Sequence, residues 1–205
     1  MQTYRTQPLA SLAQSVVDAR LKRYIDGTLD LEPGERRQNI PESITETIAQ
    51  YAIHADSGIF PFKPATGDLM IPGPFQKRVE VKGVSSTGPM SFGPTEKWDK
   101  LVVVHIQDLV RGYDPQQEIT HQLENRHFTV YEFDHSNQDF SHIVMSTKSG
   151  ETYRDQSNSG RRPRFNLPFL MSQLPSRILF QGTLHGLFQK SAGLTSKNSS
   201  MVVTA

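Results

Sequence analysis

The chain has no cysteine among its 205 residues. Disulfides, zinc–thiolate centres and thiol nucleophiles are thereby excluded. The absence fits a reducing compartment, and a cytoplasmic location is expected. Long apolar runs are missing too. None approaches the ~18 residues that span a bilayer, so no membrane partner is expected. The opening Met1-Gln-Thr-Tyr-Arg-Thr-Gln is not a charged start leading into an apolar stretch, so no secretory signal is visible. The sequence also lacks a Gly-x-Ser-x-Gly elbow, a phosphate-binding Walker loop and the His-Glu-x-x-His spacing of a zinc hydrolase. Nor is there an excess of one charge: 22 Lys and Arg stand against 21 Asp and Glu, a net charge of +1.

That balance conceals an uneven distribution. Residues 91–144 carry four basic and nine acidic side chains, whereas residues 145–190 carry seven basic and two acidic ones. The basic excess centres on Tyr153-Arg154-Asp-Gln-Ser-Asn-Ser-Gly-Arg161-Arg162-Pro163-Arg164-Phe165-Asn166. A nucleic-acid footprint is local, so near-neutrality overall does not argue against such a partner.

Apolar spacing predicts a helix over 8–26, with Leu9, Leu12, Val16, Leu21 and Ile25 on one face and Gly27 as its stop. A loop follows around Pro33-Gly34. A second helix is expected from near Pro41 to Ala55, burying Ile44, Ile48, Tyr51, Ala52 and Ala55. Its other face carries Glu42, Glu46, Gln50 and His54 at i, i+4 spacing. That face reads either as solvated or as one that brings Glu46 towards a site. Strands are expected at Leu69–Ile71, Lys77–Val84, Leu101–Ile106 and Phe128–Phe133. The third is almost continuously apolar, as a central strand buried on both faces would be. His105 within it reads as a hydrogen-bonded core residue. A short helix is possible around 115–123. Residues 165–174 and 178–188 read as short helices closing the core, and 191–205 as a frayed, flexible tail. The fold class is therefore α/β, a mixed sheet flanked by helices, with residues 1–190 forming one domain that begins with a helical segment.

The most informative stretch is Gly67-Asp-Leu-Met-Ile-Pro-Gly-Pro-Phe-Gln-Lys-Arg-Val-Glu-Val-Lys82. Alternate side chains of a strand share a face, so Glu80 and Lys82 point one way while Val79 and Val81 enter a core. A hairpin between the two segments brings Asp68 alongside Glu80. Two carboxylates and an ammonium then converge at one sheet end. Carboxylate oxygens hold a hard divalent cation, which can acidify a water and neutralise a scissile phosphate. The same Glu/Lys pair also reads as an ordinary solvated pair on an exposed strand, worth ~0.2–1 kcal/mol.

After the Glu-x-Lys triplet come a Gly/Ser/Pro loop, the Trp-bearing segment Thr95-Glu-Lys-Trp-Asp99, and the buried run Lys100-Leu-Val-Val-Val-His-Ile106. This order resembles the PD-(D/E)xK nuclease superfamily, and most of all its type II restriction endonucleases, over about residues 40–110. Gly67 stands before the first acid, where the family pattern has proline. The resemblance implies a restriction-endonuclease-like mixed sheet and Mg²⁺-dependent cleavage of double-stranded DNA. It implies Asp68 and Glu80 as metal ligands and Lys82 as the catalytic lysine acting on the attacking water. The Val81 carbonyl would be a further ligand, and Glu46 an added carboxylate from the preceding helix. A palindromic target implies a homodimer with one active site per strand.

The arginine-rich segment reads either as a solvated loop or as a recognition surface. Arg154, Arg161, Arg162 and Arg164 suit phosphates or guanine edges, while Gln156, Asn158 and Asn166 suit adenine. Ser85, Ser86 and Ser91, near the proposed site, suit the DNA backbone. Two other readings stay open: a structure-specific or repair nuclease with the same core, and a nuclease-like DNA-binding module without catalysis. The intact Asp68, Glu80 and Lys82 speak against the latter.

Overall fold

The computed structural model describes residues 42–84, 89–106, 127–145 and 150–200, with side chains left undescribed at 42–44 and 194–200. The helices expected over 8–26 and 115–123 lie outside these residues, as do Ser85 and Ser86.

Helix α1 spans Glu42–Ser57 and buries Ile48, Tyr51, Ala52 and Ala55, as the spacing predicts. It stops at Gly58, whose φ of 74° lets its amide turn back to the His54 carbonyl at 2.8 Å. Among the described residues, the polar face of α1 is partly covered. Glu46 is buried and ion-paired with Lys63. The Gln50 amide donates to the Pro61 carbonyl at 3.2 Å, and His54 Nδ1 lies 2.5 Å from Ser191 Oγ. The segment that follows α1 and Ser191, far along the chain, reach this face, which i, i+4 spacing alone cannot show.

The main sheet contains β1 (Leu69–Ile71), β2 (Lys77–Val84), β4 (Lys100–Ile106), β5 (Phe128–Phe133) and β7 (Arg177–Gly182). Their order is β1-β2-β4-β5-β7. Only β2 and β4 pair in parallel; the other neighbours are antiparallel. The expected mixed sheet is thus present. Two short strands, β3 (Pro89–Ser91) and β6 (Arg164–Asn166), form a separate antiparallel pair. A 3₁₀ turn covers Asp139–His142, and three helices follow: α2 (Tyr153–Asn158), α3 (Leu167–Gln173) and α4 (Leu184–Ser200).

Strand alternation divides the core in two. Val79, Val81, Val102, Val104, Ile106 and Val130 face α1 and α4. Leu101, Val103 and Phe133 face an aromatic cluster of Phe92, Trp98, Phe140, Tyr153 and Phe165. Each buried Val, Leu or Phe contributes roughly 1.5–3 kcal/mol. The approach of α1 to the sheet requires Gly83, because a Cβ there would come within 2.4 Å of Thr45 Cγ2.

One expectation near the C-terminus needs correction. Residues 178–188 are not one short helix: Ile178, Leu179 and Phe180 belong to β7, which pairs with β5, and α4 begins only at Leu184. Helix α4 continues to Ser200, and its Ser191 is buried against α1. The small, polar residues after Lys190 sit on a helix whose packing partner is far away in sequence.

Candidate active site

The β1–β2 hairpin pairs Leu69 with Val79, Met70 with Arg78 and Ile71 with Lys77. One step beyond, Asp68 lies opposite Glu80. Asp68 Oδ2 accepts a hydrogen bond from the Val81 amide at 2.7 Å, so the carboxylate takes the place of a strand partner just before β1 begins. The amide and carbonyl of one strand residue project to the same edge. The Val81 carbonyl therefore faces the Asp68 side.

Glu80 and Lys82 share a face, as alternation predicts, and form an ion pair. Glu80 is 6 % exposed. Burial, helped by the negative charges of Asp68 and Glu96 and opposed by Lys82, pushes its pKa up to about 7. The Lys82 ammonium lies 5.4 Å above the centre of the Phe92 ring, within cation–π range. The pair is therefore not an ordinary solvated strand pair.

A cleft of about 500 Å³ opens over this end of the sheet, lined among others by Asp68, Arg78, Glu80, Glu96, Lys97 and Trp98. Arg78 is held by Asp99, with Nη2 3.3 Å from Oδ1. Burial alone would raise the Asp99 pKa, but hydrogen bonds and charge from Arg78 bring it below the usual carboxylate value. Glu96 was not singled out from sequence. The Gly93 amide donates to its Oε2 at 2.8 Å, and a Cβ on residue 93 would fall 2.2 Å from Oε1. Glycine at 93 lets this carboxylate fold back beside the loop. Its position in the Thr95-Glu-Lys-Trp segment was visible; its proximity to Glu80 depends on the turn.

The arginine-rich segment is a helix, a turn and a strand rather than a loop. Thr152 and Asp155 form a reciprocal capping box at the start of α2. Arg154 donates to Ser141 Oγ at 3.3 Å, Gln156 to Glu151 Oε2 at 3.4 Å, and Arg161 pairs with Glu151. Arg154, Asn158, Arg161, Arg162 and Arg164 are exposed. Strand pairing sets Ser91 opposite Arg164. Asn166 caps α3, its Oδ1 accepting from the Phe169 amide at 2.9 Å, so this acceptor is already engaged.

Among the described residues, Asp68 and Glu80 are the carboxylates brought together at the hairpin, and no group of three or more His, Asp or Glu is gathered in metal-ligand geometry. The donor set still suits Mg²⁺. This ion takes hard oxygens, keeps several waters and binds through one or two carboxylates plus substrate phosphate rather than in an all-protein cage. A buried glutamate crowded by other acids gains from a cation.

A mixed sheet flanked by helices, with an acid facing Glu-x-Lys across its first hairpin, defines a restriction-endonuclease-like α/β protein. Residues 28–172, well over half of the chain, match the family described as Bsp6I restriction endonuclease. The chain belongs to that family, and so to the endodeoxyribonuclease hydrolases, with DNA as substrate. No curated protein and no solved structure matches it. Among the described residues, no helix is long and apolar enough to cross a membrane.

Proposed function

We propose that the protein is a Mg²⁺-dependent type II endonuclease that cleaves double-stranded DNA at a specific sequence, acting as a cytoplasmic homodimer. The observation that carries this reading is the convergence of Asp68, Glu80 and Lys82 at the end of β1 and β2.

Asp68 and Glu80 would hold the cation, with the Val81 carbonyl on the same edge as a third oxygen. When bound, the cation neutralises the scissile phosphate and acidifies the attacking water. Lys82 orients that water and stabilises the charge that builds on the phosphoryl oxygens. Its ammonium is a compact donor on a flexible stem, so it can leave Glu80 for the phosphate. Attack is in line with the leaving 3′ oxygen, which takes a proton from solvent. Glu46, ion-paired with Lys63 as Glu80 is with Lys82, is the weaker candidate for an added carboxylate from α1.

Arg154, Gln156, Asn158, Arg161, Arg162 and Arg164, with Ser91, present the DNA-contacting surface, and Ser85 and Ser86, outside the described residues, are further candidates for backbone contact. The exposed pair of Arg161 and Glu151 is weak enough to yield to a phosphate. A palindromic site read by two copies would cut both strands.

The test is incubation of the purified protein with phage DNA in Mg²⁺ or in EDTA. Discrete fragments in Mg²⁺ alone are expected. A smear would replace site-specific cleavage by non-specific hydrolysis. Intact, retarded DNA in both would make the chain a binding module.

A further inference from the structure

Tyr153 stands immediately before Arg154, outside the acid and Glu-x-Lys pattern, yet it belongs to the same face of the sheet. Glu80 and Lys82 project on the side opposite Val79 and Val81, towards the aromatic cluster. The Lys82 ammonium covers one ring of that cluster, Phe92, whose centroid lies 6.1 Å from that of Tyr153. Tyr153 is 4 % exposed. Its ring stacks on Phe165 at 6.1 Å and 11°, and meets Phe140 edge-on. Its amide donates to the Ile143 carbonyl at 2.9 Å, and the capping box of Thr152 and Asp155 fixes the backbone on either side. The phenol is therefore held rigidly.

Its hydroxyl is nonetheless buried without a hydrogen-bond partner among the described residues. Buried polar groups almost always have a partner, in the protein, in ordered water or in a ligand. The rest of the ring is apolar on all the sides named above, and the charges that reach the hydroxyl are those of Glu80 and Glu96. Burial and these two charges raise its pKa to about 12, so it remains a donor at any physiological pH. A buried donor without a partner thus lies within electrostatic reach of two cleft carboxylates.

We propose that Tyr153 is a positioning residue of the cleft, its hydroxyl donating through an ordered water to the carboxylates of Glu80 and Glu96 and fixing the orientation of Glu80. The role matters most when Lys82 moves from Glu80 to the phosphate. At that moment Glu80 loses its ammonium partner, and the water held by Tyr153 keeps the carboxylate aimed at the cation site. Glu96, held back by the Gly93 amide, completes the water's set of acceptors. Positioning groups of this kind change cation affinity or activity by about 10–100-fold when removed. The inference rests on the proposed nuclease site.

The test is Tyr153→Phe, which keeps the ring and removes the hydroxyl. Single-turnover cleavage should slow by about 10–100-fold, and the Mg²⁺ concentration at half-maximal rate should rise severalfold. DNA affinity in Ca²⁺ should stay within about twofold, and the melting temperature should hold or rise, because an unpaired buried hydroxyl is costly. A wild-type rate with an unchanged Mg²⁺ midpoint would overturn the inference. So would a lowered melting temperature with parallel loss of binding and cleavage, which would make Tyr153 merely structural. Asp68→Ala measured alongside separates the two levels. If it is inactive while Tyr153→Phe is fully active, only this inference fails. If it too cleaves normally, the nuclease site itself is misplaced.

Discussion

Two glutamates lie almost fully buried in the same sheet, two strands apart, and their surroundings differ in kind. Glu132, on β5, is held by two cations: Lys100 Nζ at 3.1 Å and Arg177 Nε at 2.8 Å. Those cations reach on to Asp134 and Asp56, so the charges form a closed network. Glu80, on β2, pairs among the described residues with Lys82, and its other charged neighbours there, Asp68 and Glu96, are acids. A buried carboxylate with matched cations is a structural element, retained because removing one partner leaves an uncompensated charge. A buried carboxylate with one cation and two neighbouring acids is under-compensated, and such a group gains from a cation or a proton.

The comparison can be broken most strongly at the lysines' end. Lys82→Ala should lower the cleavage rate by ~10²–10⁴-fold with little change in DNA affinity in Ca²⁺. Lys82→Arg should fail to restore it, since a planar guanidinium does not reproduce a compact ammonium. Single-turnover cleavage of a cognate fragment measures both. Full activity of the Arg variant would remove Lys82 from the chemistry and make its pair with Glu80 resemble that of Lys100 with Glu132.

Stability separates the two glutamates by sign. The folded pKa of Glu80, about 7, lies above its ordinary 4.5. The folded state therefore holds this proton more tightly than the unfolded chain does. The resulting stability is complete below about 4.5, and is lost as pH rises to about 7. The difference amounts to about 3 kcal/mol at most. Glu80→Gln should thus raise the melting temperature at pH 8 in the absence of divalent cations, and the gain should vanish by about pH 4. Glu132→Gln should lower it at pH 8, by roughly 3 kcal/mol, because Lys100 and Arg177 lose the buried carboxylate they share. Calorimetry at the two pH values decides. A loss of the same size in both variants would mean that the two glutamates do the same job.

The arginine surface offers the smallest effect and a sharper one. Replacing Arg161, Arg162 and Arg164 by Ala should weaken DNA binding and leave the melting temperature nearly unchanged, since all three are exposed. Removing an arginine that pairs with a phosphate should reduce the salt slope by ~0.9. A base-reading arginine should instead cost ~1–3 kcal/mol on the cognate site and relax discrimination. A salt titration with cognate and unrelated duplexes distinguishes them. An unchanged slope and affinity would move recognition to the segment between Gly83 and Glu96.

What the sequence revealed follows from the range of the interactions. The hairpin register was legible because it joins neighbours in the chain: Asp68 to Glu80 needs only a short turn and period-two alternation. The parallel strand β4 was legible because burial on both faces makes it continuously apolar. Glu96 and Tyr153 were not, since nothing in their own segments records that a loop and a short helix return to the face of β2. The polar face of α1 was ambiguous for the same reason. Its partners, Pro61 and Ser191, are signalled by no local pattern. Strand β7 was read as helix because Ile178-Leu-Phe180 is short and apolar, and only the edge of β5 decides its conformation.

The central claim is that Asp68 and Glu80 form one cation-dependent site. It is tested most directly by measuring cleavage in Mg²⁺ and DNA binding in Ca²⁺ for Asp68→Ala and Glu80→Ala side by side. The account predicts that both variants lose cleavage while retaining, or improving, DNA binding, because each removes a ligand of the cation and a negative charge beside the phosphate. Cleavage by both variants at near wild-type rates would contradict it.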